Sequence, residues 1–163
     1  MAVSYSEVDK LLDAALLAIA QKRPADAFNA LKRAEQLDPG NAKVLYLRGV
    51  VHMQTGALDK ALDLMRRSVL IDPNLYVAHF HIGFLLFNED REEEAEKAWR
   101  ELERLGNDNP LVLFTNGVQA WSRDEFDDAK KYINRGLELN SSNGLFDAEM
   151  RQILAWIDEE EDS

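Results

Sequence analysis

An all-α solenoid of antiparallel helix pairs is the fold class this sequence predicts, and three columns of residues predict it. From Gly49, steps of 34 residues reach Ala15, Gly83 and Gly117. The same step from Ala61 reaches Ala27, Ala95 and Ala129, and from Pro73 it reaches Pro39, Asn107 and Ser141. A fixed period of this length marks a stacked array of helix–turn–helix units. The columns have a physical reading. Two antiparallel helices approach toward the short end of the usual ~8–10 Å range only where their crossing carries small side chains. Pro after the second helix cannot continue it, so the chain turns into the next unit.

Larger residues accompany these columns. The second unit reads Leu45, Arg48, Gly49, His52, then Ala61, Met65, then Pro73. The third reads His79, Ile82, Gly83, Leu86, Ala95, Trp99, and the fourth reads Leu113, Asn116, Gly117, Ala120, Ala129, Ile133. This pattern resembles the tetratricopeptide repeat, and the resemblance covers residues 8–143. It implies a right-handed superhelical solenoid of about four repeats, at 8–41, 42–75, 76–109 and 110–143. A capping helix over 144–157 and an acidic tail over 158–163 complete one expected domain, 1–163.

The elements follow in order. Ser4 and Glu7 form a capping box ahead of the first apolar stripe, Leu11, Leu12, Ala15, Leu16 and Ile19. Lys22-Arg23 turns the chain and Pro24 opens the second helix. The second repeat turns at Thr55-Gly56 and the third at Asn88-Glu89-Asp90. Glu92, Glu93 and Glu94 then favour the positive end of the helix dipole, which makes them a helix start and not a metal site. Gly106 stops the next helix, Pro110 opens the fourth repeat, and Ser122-Arg123-Asp124 turns it. Phe146, Met150, Ile153 and Ile157 share one helical face, suited to covering the apolar flank that a last repeat exposes.

Composition excludes several function classes. The chain has 163 residues, enough for a continuous core, and no Cys, hence no disulfide and no thiolate metal site. Its net charge is −11, near neutral over 1–75 and strongly acidic over 76–163. That balance repels phosphate backbones and anionic membranes, so neither nucleic acid nor membrane insertion is expected. No apolar run reaches the length of a membrane span, and the charged N-terminal stretch does not read as a signal peptide, so a cytoplasmic protein is expected. There is no G-x-S-x-G, no Gly-rich phosphate loop and no H-E-x-x-H. His79 and His81 are two apart on a helix and do not face each other; His79 and His52 fall in packing columns. No enzyme activity and no cofactor are expected.

What remains is a surface. In the family this chain resembles, positions 2, 5, 9, 12 and 13 of each repeat look into a concave groove. The resemblance then implies a partner-binding groove made of Leu12, Leu16, Tyr46, Val50, Met53, Val77, Phe80, Phe84, Phe87, Phe114, Val118 and Trp121. Phe80, Phe84 and Phe87 follow i, i+4, i+7, one stripe of a helix, and Phe114 and Trp121 continue it into the next repeat. An exposed apolar stripe marks a binding site and aromatic residues are its usual anchors. The competing reading is that these residues are core, covered by the chain's own ends or by homodimerisation. The carboxylate clamp by which some family members hold chaperone tails is absent, since its positions carry Leu12, Leu16, Leu47, Val77 and His81.

The function expected is that of a protein–protein interaction adaptor, holding an apolar peptide or helix flanked by basic residues. Two alternatives stand beside it. In size, acidity and groove polarity the chain is similar to the small cytosolic tetratricopeptide chaperones of bacterial type III secretion, which guard hydrophobic secreted proteins. A self-assembling structural subunit is the other.

Overall fold

The computed structural model describes residues 5–140 and 146–163. Among the described residues every regular element is helical and there is no strand. In order these are α1 Glu7–Ala20, α2 Pro24–Leu37, α3 Ala42–Gln54, α4 Leu58–Ile71, α5 Tyr76–Asn88 and α6 Glu92–Arg100. A 3-10 helix, Glu101–Leu105, follows, then α7 Pro110–Ser122, α8 Phe126–Leu139 and α9 Asp147–Glu161. The turns fall where Lys22-Arg23, Thr55-Gly56, Asn88-Glu89-Asp90 and Ser122-Arg123-Asp124 predict them. The chain packs as two compact units, the first ending at Ala95 and the second beginning at Glu96.

In the first unit α1 pairs with α2 and α3 with α4, while α3 also rests on α1 and α2, and α5 on α4. The small-residue columns lie at these crossings. Ala15, Ala27 and Ala61 are fully buried. A Cβ built on Gly49 would stand 2.9 Å from Met65 Cγ and 3.2 Å from the Ala61 carbonyl oxygen. In the second unit α7 pairs with α8. A Cβ on Gly117 would stand 2.5 Å from Ile133 Cγ1 and 3.3 Å from the Ala129 carbonyl. Gly136 on α8 receives the Phe114 ring against its bare backbone.

Each turn inside a helix pair uses one geometry. Lys22, Gly56, Asp90 and Asp124, spaced by the repeat period, all have positive φ, at 55°, 82°, 58° and 61°. The residue after each donates its backbone N–H to the carbonyl five residues back: Arg23 to Ala18, Ala57 to His52, Arg91 to Leu86 and Glu125 to Ala120. The positive-φ residue itself bonds back to Ile19, Met53, Phe87 or Trp121. This double closure satisfies carbonyls that a helix end leaves open, and it needs a left-handed residue at that place.

Helix starts depend on local chemistry. The capping box of α1 belongs to Ser6 and Asp9, not to Ser4 and Glu7: Asp9 N–H donates to Ser6 Oγ at 3.1 Å and Ser6 N–H donates to Asp9 Oδ2 at 2.9 Å. Ser4 lies outside the described residues, as do Ser141 of the Pro column, the end of the expected fourth repeat and residues 144–145 of the expected cap. Asn41 and Asn109 cap α3 and α7 with their side chains, and Pro24 and Pro110 occupy first-turn positions.

Helix α9 packs on α8 and α7, with Phe146, Met150, Ile153 and Ile157 buried. It runs through Glu161, so the stretch read as an acidic tail is helical and engaged. Lys130 of α8 pairs with Asp158 at 2.8 Å and with Glu161.

The crossings make a graded expectation. Gly→Ala in a helix gains about 1 kcal/mol in propensity, whereas overpacking costs about 1–3 kcal/mol. Ile133 is β-branched and stiff, Met65 unbranched and adaptable. Gly117→Ala should therefore destabilise more than Gly49→Ala, as read by denaturant unfolding. At the turns, Lys22→Gly should stabilise by roughly 1 kcal/mol, because a left-handed conformation costs Lys what it does not cost Gly; a thermal melt of that variant checks it.

Candidate functional site

The residues expected to line a groove divide by exposure. Leu12, Tyr46, Val50, Phe80, Phe114 and Val118 are buried. Leu16, Met53, Val77, Phe84, Phe87 and Trp121 are half-exposed.

In the first unit, helical spacing explains the division. Tyr46 of α3 meets α5: its hydroxyl lies 3.0 Å from Nδ1 of His81, and the two rings sit 5.7 Å apart. Phe80 stacks on Phe84 with centroids 6.3 Å apart and meets His81 edge-on. The inner residues of each stripe are thus held by a neighbouring helix. Phe84 and Phe87 sit on the outer side of α5 with Val77, and Met53 and Leu16 carry the corresponding positions of α3 and α1. Gln54 ties the end of α3 to α1 by donating to the Ile19 carbonyl at 3.3 Å. The acidic turn Glu89-Asp90 and the α6 start Glu92-Glu93 follow directly on Phe87.

In the second unit α9 covers the corresponding residues of α7. Phe114 is fully buried, with the Phe146 ring 6.5 Å away. Trp121 stacks on Trp156 at 6.0 Å, with ring planes 26° apart, and donates its indole N–H to Glu160 at 2.7 Å. In the second unit Phe114 and Trp121 thus have ring contacts with the chain's own last helix and its N-cap.

Two titratable groups escaped the sequence reading. Of the pair His79 and His81, His81 is the fully buried one, while His79 reaches the Pro73 carbonyl at 2.8 Å. Burial lowers the His81 pKa to about 4, against a smaller opposing effect of the Val77 carbonyl. Glu149 on α9 is half-buried, and that burial pushes its carboxyl up to about 7. Its Oε2 finds no hydrogen-bond partner among the described residues. An apolar neighbour three or four residues away on each side, Phe146 and Ile153, was the signal available for Glu149. Hydrogen bonds to Asp158 and then Glu161 raise the Lys130 pKa. Among the described residues no group of three or more His, Asp or Glu could hold a metal ion, and no helix is long and apolar enough to cross a membrane.

Residues 18–81 match the family model for the tetratricopeptide repeat. This stretch is made of tetratricopeptide repeats. The chain is 29% identical over 138 residues to BBSome complex member BBS4 of Bos taurus, an alignment covering 82% of this chain and 27% of that one. It is 30% identical over 115 residues to the photosystem I assembly protein Ycf3 of Rippkaea orientalis, covering 61% of this chain and 65% of the other. The crystal structure of MamA superposes with a TM-score of 0.60 at 20% identity, over 81% of this chain and 77% of MamA, and so shares the fold. The chain spans about a quarter of the length of the bovine relative. Tetratricopeptide repeats serve in general as protein–protein interaction modules.

The buried groups give this repeat protein a two-sided pH response. An unfolded His binds a proton below its ordinary 6.5 while folded His81 does not until about 4. Its contribution is therefore present above pH 6.5 and lost as pH falls toward 4. Folded Glu149 keeps its proton up to about 7 against an ordinary 4.5. Its contribution is present below pH 4.5 and lost as pH rises through 7. Hydrogen exchange should show α3 and α5 loosening between pH 6.5 and 4, and α9 loosening between pH 4.5 and 7. Glu149→Gln should abolish the second trend alone.

Proposed function

We propose that this protein is a cytoplasmic, non-enzymatic adaptor that holds an apolar segment of a protein partner on the half-exposed face of its first unit. Phe84 and Phe87 are the principal anchors, with Val77, Met53 and Leu16 beside them. The observation that carries this reading is the half-exposure of two phenylalanines one helical turn apart on α5, on a chain with acidic residues immediately after them. Half-exposed aromatic residues at such spacing favour a partner that completes their burial. The carboxylates of Glu89, Asp90, Glu92 and Glu93 add a preference for Lys or Arg beside the partner's apolar residues, and speed its approach at low salt.

The similarity to Ycf3, named for photosystem I assembly, favours a second form of the same role. The chain would then shield an apolar segment until that segment reaches its final assembly, as a chaperone does.

Selection from a displayed peptide library tests the reading. Peptides with two or three apolar anchors and adjacent Lys or Arg should be enriched, and Phe84→Ala with Phe87→Ala should weaken the selected peptides by about 2 kcal/mol or more. Enrichment that survives the double variant would place binding elsewhere. Phe80→Ala serves as the contrast: this fully buried ring should cost about 3–5 kcal/mol of folding stability.

A further inference from the structure

The junction between one repeat's second helix and the next repeat's first helix can be followed down the period. At the first junction Glu35 on α2 and Arg48 on α3 form an ion pair at 2.8 Å. One period later these positions hold Val69 on α4 and Ile82 on α5, an apolar combination with Ile82 buried. A further period on they hold Glu103, in the 3-10 helix, and Asn116, on α7. The carboxylate has returned, but the arginine has not.

That junction is open. A cleft of about 270 Å³ lies there within the second unit. Val112, Leu102 and Trp99 supply apolar wall, and Thr115 spends its hydroxyl on the Leu111 carbonyl. Its other lining groups are Glu96, Arg100, Glu103, Asn116 and Gln119. Among the described residues, no hydrogen bond or ion pair involves the side chains of these five. Glu96, Arg100 and Glu103 are exposed and Asn116 and Gln119 half-buried, so water is what a ligand's donors and acceptors would replace at this wall. Glu96 and Glu103 outweigh Arg100, which leaves the lining with one negative charge in excess.

We propose that this cleft receives an arginine side chain from a protein partner. The guanidinium takes the place that Arg48 fills at the first junction, against Glu103. A guanidinium presents several N–H donors in a plane, which suits a carboxylate flanked by the amide oxygens of Asn116 and Gln119; an ammonium offers a point charge and no such fork. The aliphatic stem lies along Val112 and Leu102, and Trp99 offers aromatic surface to the cation. Asn116 and Gln119 follow Val112 and Thr115 on a face of α7 different from that of Phe114, Val118 and Trp121. None of its residues is among those proposed above to hold an apolar segment.

The test titrates N-acetylarginine amide into the full chain while NMR follows the side-chain amides of Asn116 and Gln119 and the Trp99 indole N–H. N-acetylcitrulline amide, of the same shape without the charge, is the control. Saturable shifts with the arginine compound are expected, weaker by roughly five- to tenfold with citrulline and in Glu103→Gln, whose exposed position leaves folding intact. Asn116→Arg should supply the missing cation within the chain, abolish the shifts and raise Tm. Absence of saturable shifts, an equal response to citrulline, or unchanged affinity in Glu103→Gln would each overturn the proposal.

Discussion

The close crossing of paired helices is the constraint on which the rest depends. Where Gly49 meets Met65 and the Ala61 carbonyl, and where Gly117 meets Ile133 and the Ala129 carbonyl, no space remains for even a methyl group. Glycine inside a helix costs backbone entropy, so these residues are retained for the proximity they allow. That proximity brings the larger residues of each pair into contact and fixes which side of every first helix faces outward.

Much of this was legible in the sequence. The small-residue columns, the turn positions and the apolar face of α9 are periodic signals. Each arises from packing within a repeat or against its immediate neighbour, so it needs no knowledge of distant chain. The surface was legible only in part. A sequence gives the face of a helix on which Tyr46, Val50 or Phe114 lies, but not how far the adjoining helix covers it. Tyr46 is closed over by His81 and Phe114 by Phe146, each partner more than thirty residues away along the chain. The Ser6–Asp9 box also shows the limits of a spacing rule: Ser4 with Glu7 and Ser6 with Asp9 fit the same three-residue interval, and side-chain geometry chose the second.

Charge plays two roles that composition alone merges into one number. Along α9, Asp158, Glu160 and Glu161 hold the helix to Lys130 and Trp121, so part of the acidic excess is internal fastening. Exposed pairs of this kind are individually weak, and the buried stripe of Met150, Ile153 and Ile157 supplies most of the attachment. Glu92 and Glu93 are exposed and make no such attachment, and they set the field that an approaching partner meets. Net charge therefore describes approach, while the position of each carboxylate decides its structural use.

The recurring left-handed turn has a consequence for how such a chain can change in length. Lys22, Gly56, Asp90 and Asp124 stand at one fixed phase of the repeat, each tied by the same pair of backbone bonds. A gene that gains or loses one or two codons inside a helix rotates every later side chain away from its crossing. A duplication or deletion of a whole period returns each residue to its own phase. Length in this architecture is consequently counted in units of one repeat, and smaller insertions are confined to the loops that join a second helix to the next first helix.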